Sequence, residues 1–305
     1  MRADDELSRL LNAELDGDVA DAVRAMAESV ADRFPGSRSV VHYGSTLRSG
    51  RLEGELVDFY VIVEDYACAF DCRWLAAANR LLPPNVFAVS HGDLRAKVAV
   101  LDRRDLRRLT GADAASVSVW ARFCQPLRLA WVRDEAARDE VAAAARRSVL
   151  TMMRTAAPMM VTPGPLSIWR TGLSLTYGAE LRAERRGRVD QVVDAAPGRY
   201  RRLALAAGAE LGWRVDGDRL DAGVTPGDRV REERRWRRRR LAGKGLTLAR
   251  LAKAAATYGG GIEYLADKIE RHSGVAVPLR PWQRRVPLLG ALWLLPSLIR
   301  TGAVR

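Results

Sequence analysis

Ser39-Val-Val-His-Tyr-Gly-Ser-Thr46 and Leu56-Val-Asp-Phe-Tyr-Val-Ile-Val63 decide how this chain is read. The first is a short apolar strand, Ser39–Tyr43, that runs into a tight turn at Gly44-Ser45. Residues 46–55 are polar and hold two glycines, so they read as a loop or a short helix. The second stretch is apolar almost throughout, as expected of a strand buried on both faces. It carries one acid, Asp58. A carboxylate in a buried strand is costly unless something pairs with it, and a metal ion is one such partner. A Gly-Ser turn lets backbone N–H groups approach a phosphate closely. Together they suggest a nucleoside triphosphate at the turn and Mg²⁺ on Asp58.

Upstream, Leu7, Leu11, Leu15, Val19, Val23, Met26 and Val30 recur at steps of three and four within residues 4–32. That spacing predicts one amphipathic helix, stopped at Pro35-Gly36. Downstream, Glu64-Asp65 closes the second strand. Asp71–Leu82 reads as a helix ending at Pro83-Pro84. Val86–Ser90 and Ala96–Leu101 read as strands joined by a hairpin turn at His91-Gly-Asp93. Helices are expected near Asp102–Leu109 and Ala114–Cys124, and a last strand at Leu127–Val132. Residues 1–133 are thus an α+β unit with a mixed sheet.

The pattern then changes. Asp134 is a good N-cap for a long Ala-rich helix reaching Ala157, with a break at Pro158–Pro165. Leu166–Glu184 and Arg199–Leu211 read as helices, and Val215-Asp-Gly-Asp218 as a hairpin turn. Residues 134–257 are expected to form a mostly helical, winged-helix-like domain. Within it Arg231–Arg240 is the densest basic run, and Gly243–Gly245 is expected to loosen it before a short helix at Leu246–Thr257. Residues 258–305 hold a further short helix, Gly261–Arg271, and an amphipathic tail. Its segment Val286–Ile299 is strongly apolar but is interrupted by Pro287, Gly290 and Pro296. It is too short to span a bilayer and is expected to lie in the interface, with Trp282, Leu289 and Trp293 as contacts.

The chain has 305 residues, a formal net charge of +13 and a pI near 10.4. That balance favours an acidic partner: nucleic acid, anionic lipid or a polyphosphate. Three cysteines without a framework argue against a disulfide-stapled secreted protein. Cys68 and Cys72 stand four apart with no His or Cys nearby to complete a zinc site. The acidic start, Met1-Arg-Ala-Asp-Asp-Glu, has no apolar signal core, so a reducing bacterial cytoplasm is expected.

Gly44-Ser45 with Asp58 is the pattern of nucleotidyltransferase folds related to DNA polymerase beta. Those folds usually carry a second acid two residues on, on the same strand face; here that position is Tyr60. Glu64, Asp65, Asp93 and Asp102 are all candidates for the second metal ligand. More specifically, His42-Tyr-Gly-Ser45 followed by Val57-Asp-Phe59 resembles the signature of the mitochondrial-type phosphatidate cytidylyltransferases, the peripheral CDP-diacylglycerol synthases of the translocator assembly and maintenance family. Arg95-Ala-Lys-Val-Ala-Val100 resembles the family's lysine-bearing strand, and Trp120-Ala-Arg-Phe-Cys-Gln-Pro126 its arginine-to-proline segment. Ser174-Leu-Thr-Tyr-Gly-Ala-Glu-Leu-Arg182 resembles its serine-tyrosine-glycine-acid-arginine block, and Arg300-Thr-Gly-Ala-Val304 its ending. Thr46, Gln125 and Glu180 depart from the family's usual glycine, lysine and aspartate.

The resemblance implies transfer of CMP from CTP to phosphatidic acid, with Mg²⁺, at an anionic membrane surface on the inner face of the cytoplasmic membrane. It implies Asp58 as metal ligand and, with Lys97, as catalytic residue. It places Tyr43, Gly44, Ser45 and Arg122 on the nucleotide, and Tyr177, Glu180 and Arg182 in the cleft. Two rivals stand beside it. One is a nucleotidyltransferase acting on a soluble acceptor. The other is a catalytically degenerate basic protein that grips nucleic acid, against which the apolar tail counts. The oligomeric state is left open.

Overall fold

The computed structural model describes residues 3–180 and 187–257. The opening pattern is two helices, α1 (Ala3–Leu15) and α2 (Asp21–Arg33), not the single helix its spacing predicts. Asp16-Gly-Asp18 stands at the break, where poor helix formers end α1. The two halves also bury different sides of one sheet. Leu7, Leu11 and Leu15 join the core on one face, whereas Val23, Met26 and Val30 join the core on the other.

That sheet is formed by β1 (Ser37–Tyr43), β2 (Leu56–Val63), β3 (Asn85–His91), β4 (Leu94–Asp102) and β5 (Leu127–Val132). Its order is β3-β4-β2-β1-β5. β2 and β4 are parallel, and every other pairing is antiparallel, so the fold is α+β around a mixed sheet. Alternation along β2 sends Val57, Phe59, Val61 and Val63 to the α2 side, and Tyr60 and Ile62 to the other.

Short helices join the strands: α3 (Ser45–Ser49), α4 (Tyr66–Ala69), α5 (Arg73–Leu81), α6 (Arg103–Leu109) and α7 (Trp120–Phe123). α4, which the spacing does not reveal, is capped by Asp65, whose carboxylate accepts from the Ala67 N–H at 2.6 Å. The helix expected over Ala114–Cys124 shrinks to α7. Upstream of it the Ser116 and Ser118 hydroxyls bond each other at 2.9 Å, and the Ser116 hydroxyl accepts the Ser118 N–H. Such local bonding competes with the helix.

After β5, Asp134 caps α8 (Glu135–Ala156) by accepting the Ala137 N–H at 2.8 Å. A single 3₁₀ turn, then α9 (Pro165–Ala179), α10 (Arg188–Asp194) and α11 (Pro197–Glu210) follow. The hairpin of β6 (Arg214–Asp216) and β7 (Arg219–Asp221) turns at Gly217, and α12 (Pro226–Thr257) closes the described chain. Side chains from α1, α8, α9, α11 and α12 share one core with Tyr43, Tyr60, Ile62 and Leu101 of the sheet.

α12 runs without interruption through Gly243 and Gly245, where a loosening was expected. The two glycines differ in kind. A Cβ on Gly243 would stand 2.1 Å from the Ala179 carbonyl oxygen, whereas one on Gly245 would meet nothing within 4 Å. Gly243 is there so that α12 can lie against the end of α9. Ala in place of Gly gains about 1 kcal/mol of helix propensity, while overpacking against backbone costs about 1–3 kcal/mol. Gly245→Ala is therefore expected to raise the melting temperature and Gly243→Ala to lower it, as thermal unfolding of the two variants will show.

No helix of the described residues is long and apolar enough to cross a membrane. Arg182, the expected Gly261–Arg271 helix and the tail contacts Trp282, Leu289 and Trp293 lie outside the described residues.

Candidate functional site

The end of β1 and the starts of β2 and β4 meet at one end of the sheet. Tyr43 is opposite Asp58, and Asp58 is opposite Lys97, so the three form a row across β1, β2 and β4. The row lies on the face of Tyr60, two residues from Asp58. Gly44 follows Tyr43 with φ +95° and ψ −156°, a conformation open in practice to glycine. A Cβ there would also stand 2.6 Å from Oδ2 of Asp58. The turn and the acid are thus fitted to each other.

Burial pushes the Asp58 carboxyl above the usual carboxylate range, and the charges of Lys97, Arg122 and Arg48 pull the other way without cancelling it. Among the described residues its oxygens take part in no hydrogen bond or ion pair. Arg122 is brought in by α7. Its Nη1 donates to the Ser118 carbonyl at 2.5 Å and stands 3.6 Å from Oε1 of Glu180. Burial works against its charge, but Glu180, Tyr60, Tyr43 and Asp58 outweigh that, and its pKa is raised. Glu180 is itself buried, directly after α9.

Of the residues singled out in the sequence, the structure therefore brings together Tyr43, Gly44, Asp58, Lys97, Arg122 and Glu180. Ser45 opens α3 beside them. Tyr177 lies half-buried three residues before Glu180 and accepts its N–H at 3.4 Å. Two cations escaped sequence reasoning. Arg48 sits one turn after the Gly-Ser turn, a spacing that could have flagged it. Arg250 of α12, whose charge acts on Tyr60, had no signal in so basic a chain.

The position of the usual second acid is filled by packing. Tyr60 is 3% exposed, stacked on Tyr43 at 4.9 Å between ring centroids and tilted against Phe123 at 5.2 Å. The sequence alternatives are mostly occupied elsewhere. Glu64 follows the far end of β2, about 20 Å from Asp58 at the rise of a strand. It pairs there with Arg38 at 2.6 Å and Arg103 at 2.8 Å. Asp65 caps α4, and Asp102 caps α6. Asp93 is exposed in the β3–β4 turn. Among the described residues no group of three or more His, Cys, Asp or Glu side chains is placed to hold a metal. One unpaired carboxylate at the mouth of a phosphate-sized turn nevertheless suits Mg²⁺, which commonly takes one or two protein carboxylates and fills its shell with phosphate and water oxygens.

His42 is on the opposite face. Its Nε2 is 2.9 Å from the Thr46 hydroxyl, and its ring stands 5.7 Å from that of Phe59. Burial, with Arg128, pushes its pKa down to about 4, so it is a neutral strut for the turn. Cys124 is buried, with burial pushing its thiol up to about 12; Cys68 and Cys72 are exposed and unpaired. In the basic run, Arg239 turns inward to Glu232 at 2.6 Å and lies over the Trp236 ring, while Arg234, Arg237, Arg238 and Arg240 stay exposed.

Gly44→Ala tests the fit between turn and acid. It forces a side chain into a left-handed conformation and into the Asp58 carboxylate. The strain is expected to lower stability by about 1–3 kcal/mol. Mg²⁺–nucleotide affinity is expected to fall by more than tenfold, read by isothermal titration; Gly54→Ala, with φ +70° and open space around it, should reproduce the strain without the loss of binding.

No family model matches the chain, and no curated protein matches it. Among solved structures it is similar to a nucleotidyltransferase-like protein from Exiguobacterium sibiricum 255-15. The identity is 14% over 92% of this chain and 91% of that one, with a TM-score of 0.30. So distant a likeness carries no argument.

Proposed function

We propose that this chain is a Mg²⁺-dependent nucleotidyltransferase of the DNA polymerase beta type that acts as a CTP:phosphatidate cytidylyltransferase. The observation that carries the reading is the unpaired Asp58 carboxylate, set against Gly44 and ringed by Lys97, Arg122 and Arg48. The sequence blocks that resemble the cytidylyltransferase family supply the substrate. Four of them, at residues 42–45, 57–59, 95–100 and 120–126, contribute a residue to this end of the sheet. A fifth contributes Glu180.

In this reading the backbone N–H groups at Gly44 and Ser45 face the triphosphate. Bound Mg²⁺, held by Asp58, would neutralise phosphate charge. Lys97 and Arg48 steady the phosphate oxygens and the departing pyrophosphate. Arg122 is shared between Glu180 and the phosphates. The phosphate monoester of the acceptor attacks the α-phosphorus as the bond to pyrophosphate breaks. That monoester is already a competent nucleophile near neutral pH, so positioning and charge stabilisation are the protein's main work. This accords with a site whose one nearby histidine is a neutral strut. Tyr177, Glu180 and Arg182 line the acceptor side in a winged-helix-like domain of residues 134–257. The tail of residues 258–305, through Trp282, Leu289 and Trp293, is the contact with the inner face of a bacterial cytoplasmic membrane.

The test is incubation of the full chain with Mg²⁺, labelled CTP and phosphatidic-acid vesicles. A lipid-linked cytidylate that disappears with Asp58→Ala supports the reading. Turnover on a soluble phosphate monoester but not on vesicles would move it to the first rival. Salt-sensitive RNA or DNA binding without CTP turnover would move it to the second.

A further inference from the structure

α12 reaches the back of the site. Arg250 lies between two loops, its Nε donating to the Pro83 carbonyl at 2.9 Å. Its Nη1 donates to the Ser118 hydroxyl at 3.1 Å and the Ser116 hydroxyl at 3.3 Å, and its Nη2 to the Ser116 hydroxyl at 3.3 Å. The guanidinium thus holds both serines of the segment that leads into α7. The carbonyl of the same Ser118 receives Nη1 of Arg122 at 2.5 Å. Asp58 feels Lys97, Arg122 and Arg48, whereas Arg250 interacts with Glu180, Tyr60 and Arg122. It stands one layer back from the acid.

A strut would need none of this. Lys253, one turn on, already ties α12 to the other loop: its Nζ donates to the Asn79 side-chain oxygen at 3.4 Å, the Leu82 carbonyl, and the Pro84 carbonyl at 3.3 Å. Burying the Arg250 charge is unfavourable: burial above all pushes its pKa down, Glu180 and Tyr60 pull the other way without cancelling that, and the like charge of Arg122 adds to the cost. A second strut could have been neutral. A planar fork that spans two hydroxyls and a carbonyl does something an amide or ammonium cannot: it fixes the orientation of a loop.

We propose that Arg250 is a positioning residue: it locks the Ser116–Ser118 segment, whose Ser118 carbonyl aims Arg122 at the anion beside Asp58. The proposal rests on the nucleotide reading above. It also assigns α12 a part in the site that its sequence, a basic run followed by a short amphipathic stretch, does not announce.

The test compares Kd for CTP–Mg²⁺ by titration calorimetry, and melting temperature, across Arg250→Gln, Arg250→Lys, Lys253→Gln and Asp58→Asn in the full chain. Arg250→Gln is expected to raise Kd by about tenfold. Arg250→Lys, keeping the charge but only one donor nitrogen in place of the planar fork, should recover part of that loss. Lys253→Gln should lower the melting temperature yet leave Kd within about twofold of wild type. If Arg250→Gln folds poorly, Ser116→Ala with Ser118→Ala removes the two hydroxyl acceptors of the fork and leaves the Pro83 carbonyl, and Kd should still rise. Equal Kd changes in the Arg250 and Lys253 variants, or none in the Arg250 and serine variants, overturn the positioning role alone. A wild-type chain that binds no CTP–Mg²⁺, or an Asp58→Asn variant that binds it as tightly, overturns the nucleotide reading and this proposal together.

Discussion

Asp58→Asn is expected to abolish cytidylyl transfer and, in the same protein, to raise the melting temperature. The first half follows from the chemistry proposed for the site, because an amide is a poor ligand for Mg²⁺ and the described residues offer no second carboxylate on that strand face to replace it. The loss should exceed about a thousandfold in kcat/KM. The second half follows from the balance of forces on the acid. Burial raises its pKa, and the attraction of Lys97, Arg122 and Arg48 does not offset that. In the folded chain the charged form is therefore disfavoured, cations notwithstanding. Between the ordinary carboxylate pKa and the raised folded value, the folded state binds more protons than the unfolded one. Stability contributed by this group thus falls as pH rises through that window and stays lower above it. Asparagine removes the charge and keeps the shape. Gains of this kind are on the order of 1 kcal/mol, or about 2–4 °C in a chain of this size. The stabilisation should vanish below the window, where Asp58 is protonated. Mg²⁺–CTP should then stabilise wild type and not the variant in thermal-shift assays. A variant that melts lower than wild type at neutral pH would mean that the cations dominate at Asp58.

Much of this arrangement is visible in the residues themselves, and what is not has physical causes. The strand pair around Gly44 is legible because a left-handed glycine and a continuous apolar run leave few alternatives. Leu127–Val132 is a strand with the bounds its pattern implies, and Asp134 caps the helix it precedes. The division of α1 from α2 is hidden because Leu15, Val19 and Val23 continue the helical step across it, although the two helices bury opposite faces of the sheet. Gly243 reads as a breaker because a glycine needed for close approach looks the same in sequence as one that loosens a helix. At the site, the resemblance could name Asp58 and Lys97 one by one. That they are neighbours is a matter of strand register, which follows from parallel pairing of two strands separated by α4, α5 and β3. Arg250 is invisible for a different reason: with 50 lysines and arginines in the chain, one more cation on a helix carries no signal until its partners are seen.

Glu14→Ala is expected to be the most destabilising change of a single charged residue outside the site. Glu14 lies near the end of α1, where one carboxylate oxygen accepts the Leu127 N–H at 3.1 Å and the guanidinium of Arg199 from α11 at 2.9 Å. Arg199 also donates to the Cys124 carbonyl, at 3.3 Å. Both side chains are nearly buried, at 13% and 12% exposure. Burial opposes the Arg199 charge, and Glu14 is what restores it. The pair therefore ties the first helix, the start of β5, the end of α7 and α11 into one joint, just behind the segment that carries Arg122. Removing the carboxylate leaves a buried guanidinium without its counter-ion, held only by the Cys124 carbonyl and the Tyr200 ring, and takes the Glu14 acceptor from the Leu127 N–H. Breaking a buried pair from one side costs about 3–5 kcal/mol. Because most of that cost is the stranded cation, the loss should not be additive. Arg199→Ala in the Glu14→Ala background should cost far less than in wild type, with a coupling of about 2 kcal/mol or more from the cycle of denaturant midpoints. An additive cycle would mean that water reaches the guanidinium and that the joint is held by packing alone. Glu14→Gln separates charge from hydrogen bonding. It can still accept the Leu127 N–H, so its loss should fall between wild type and Ala.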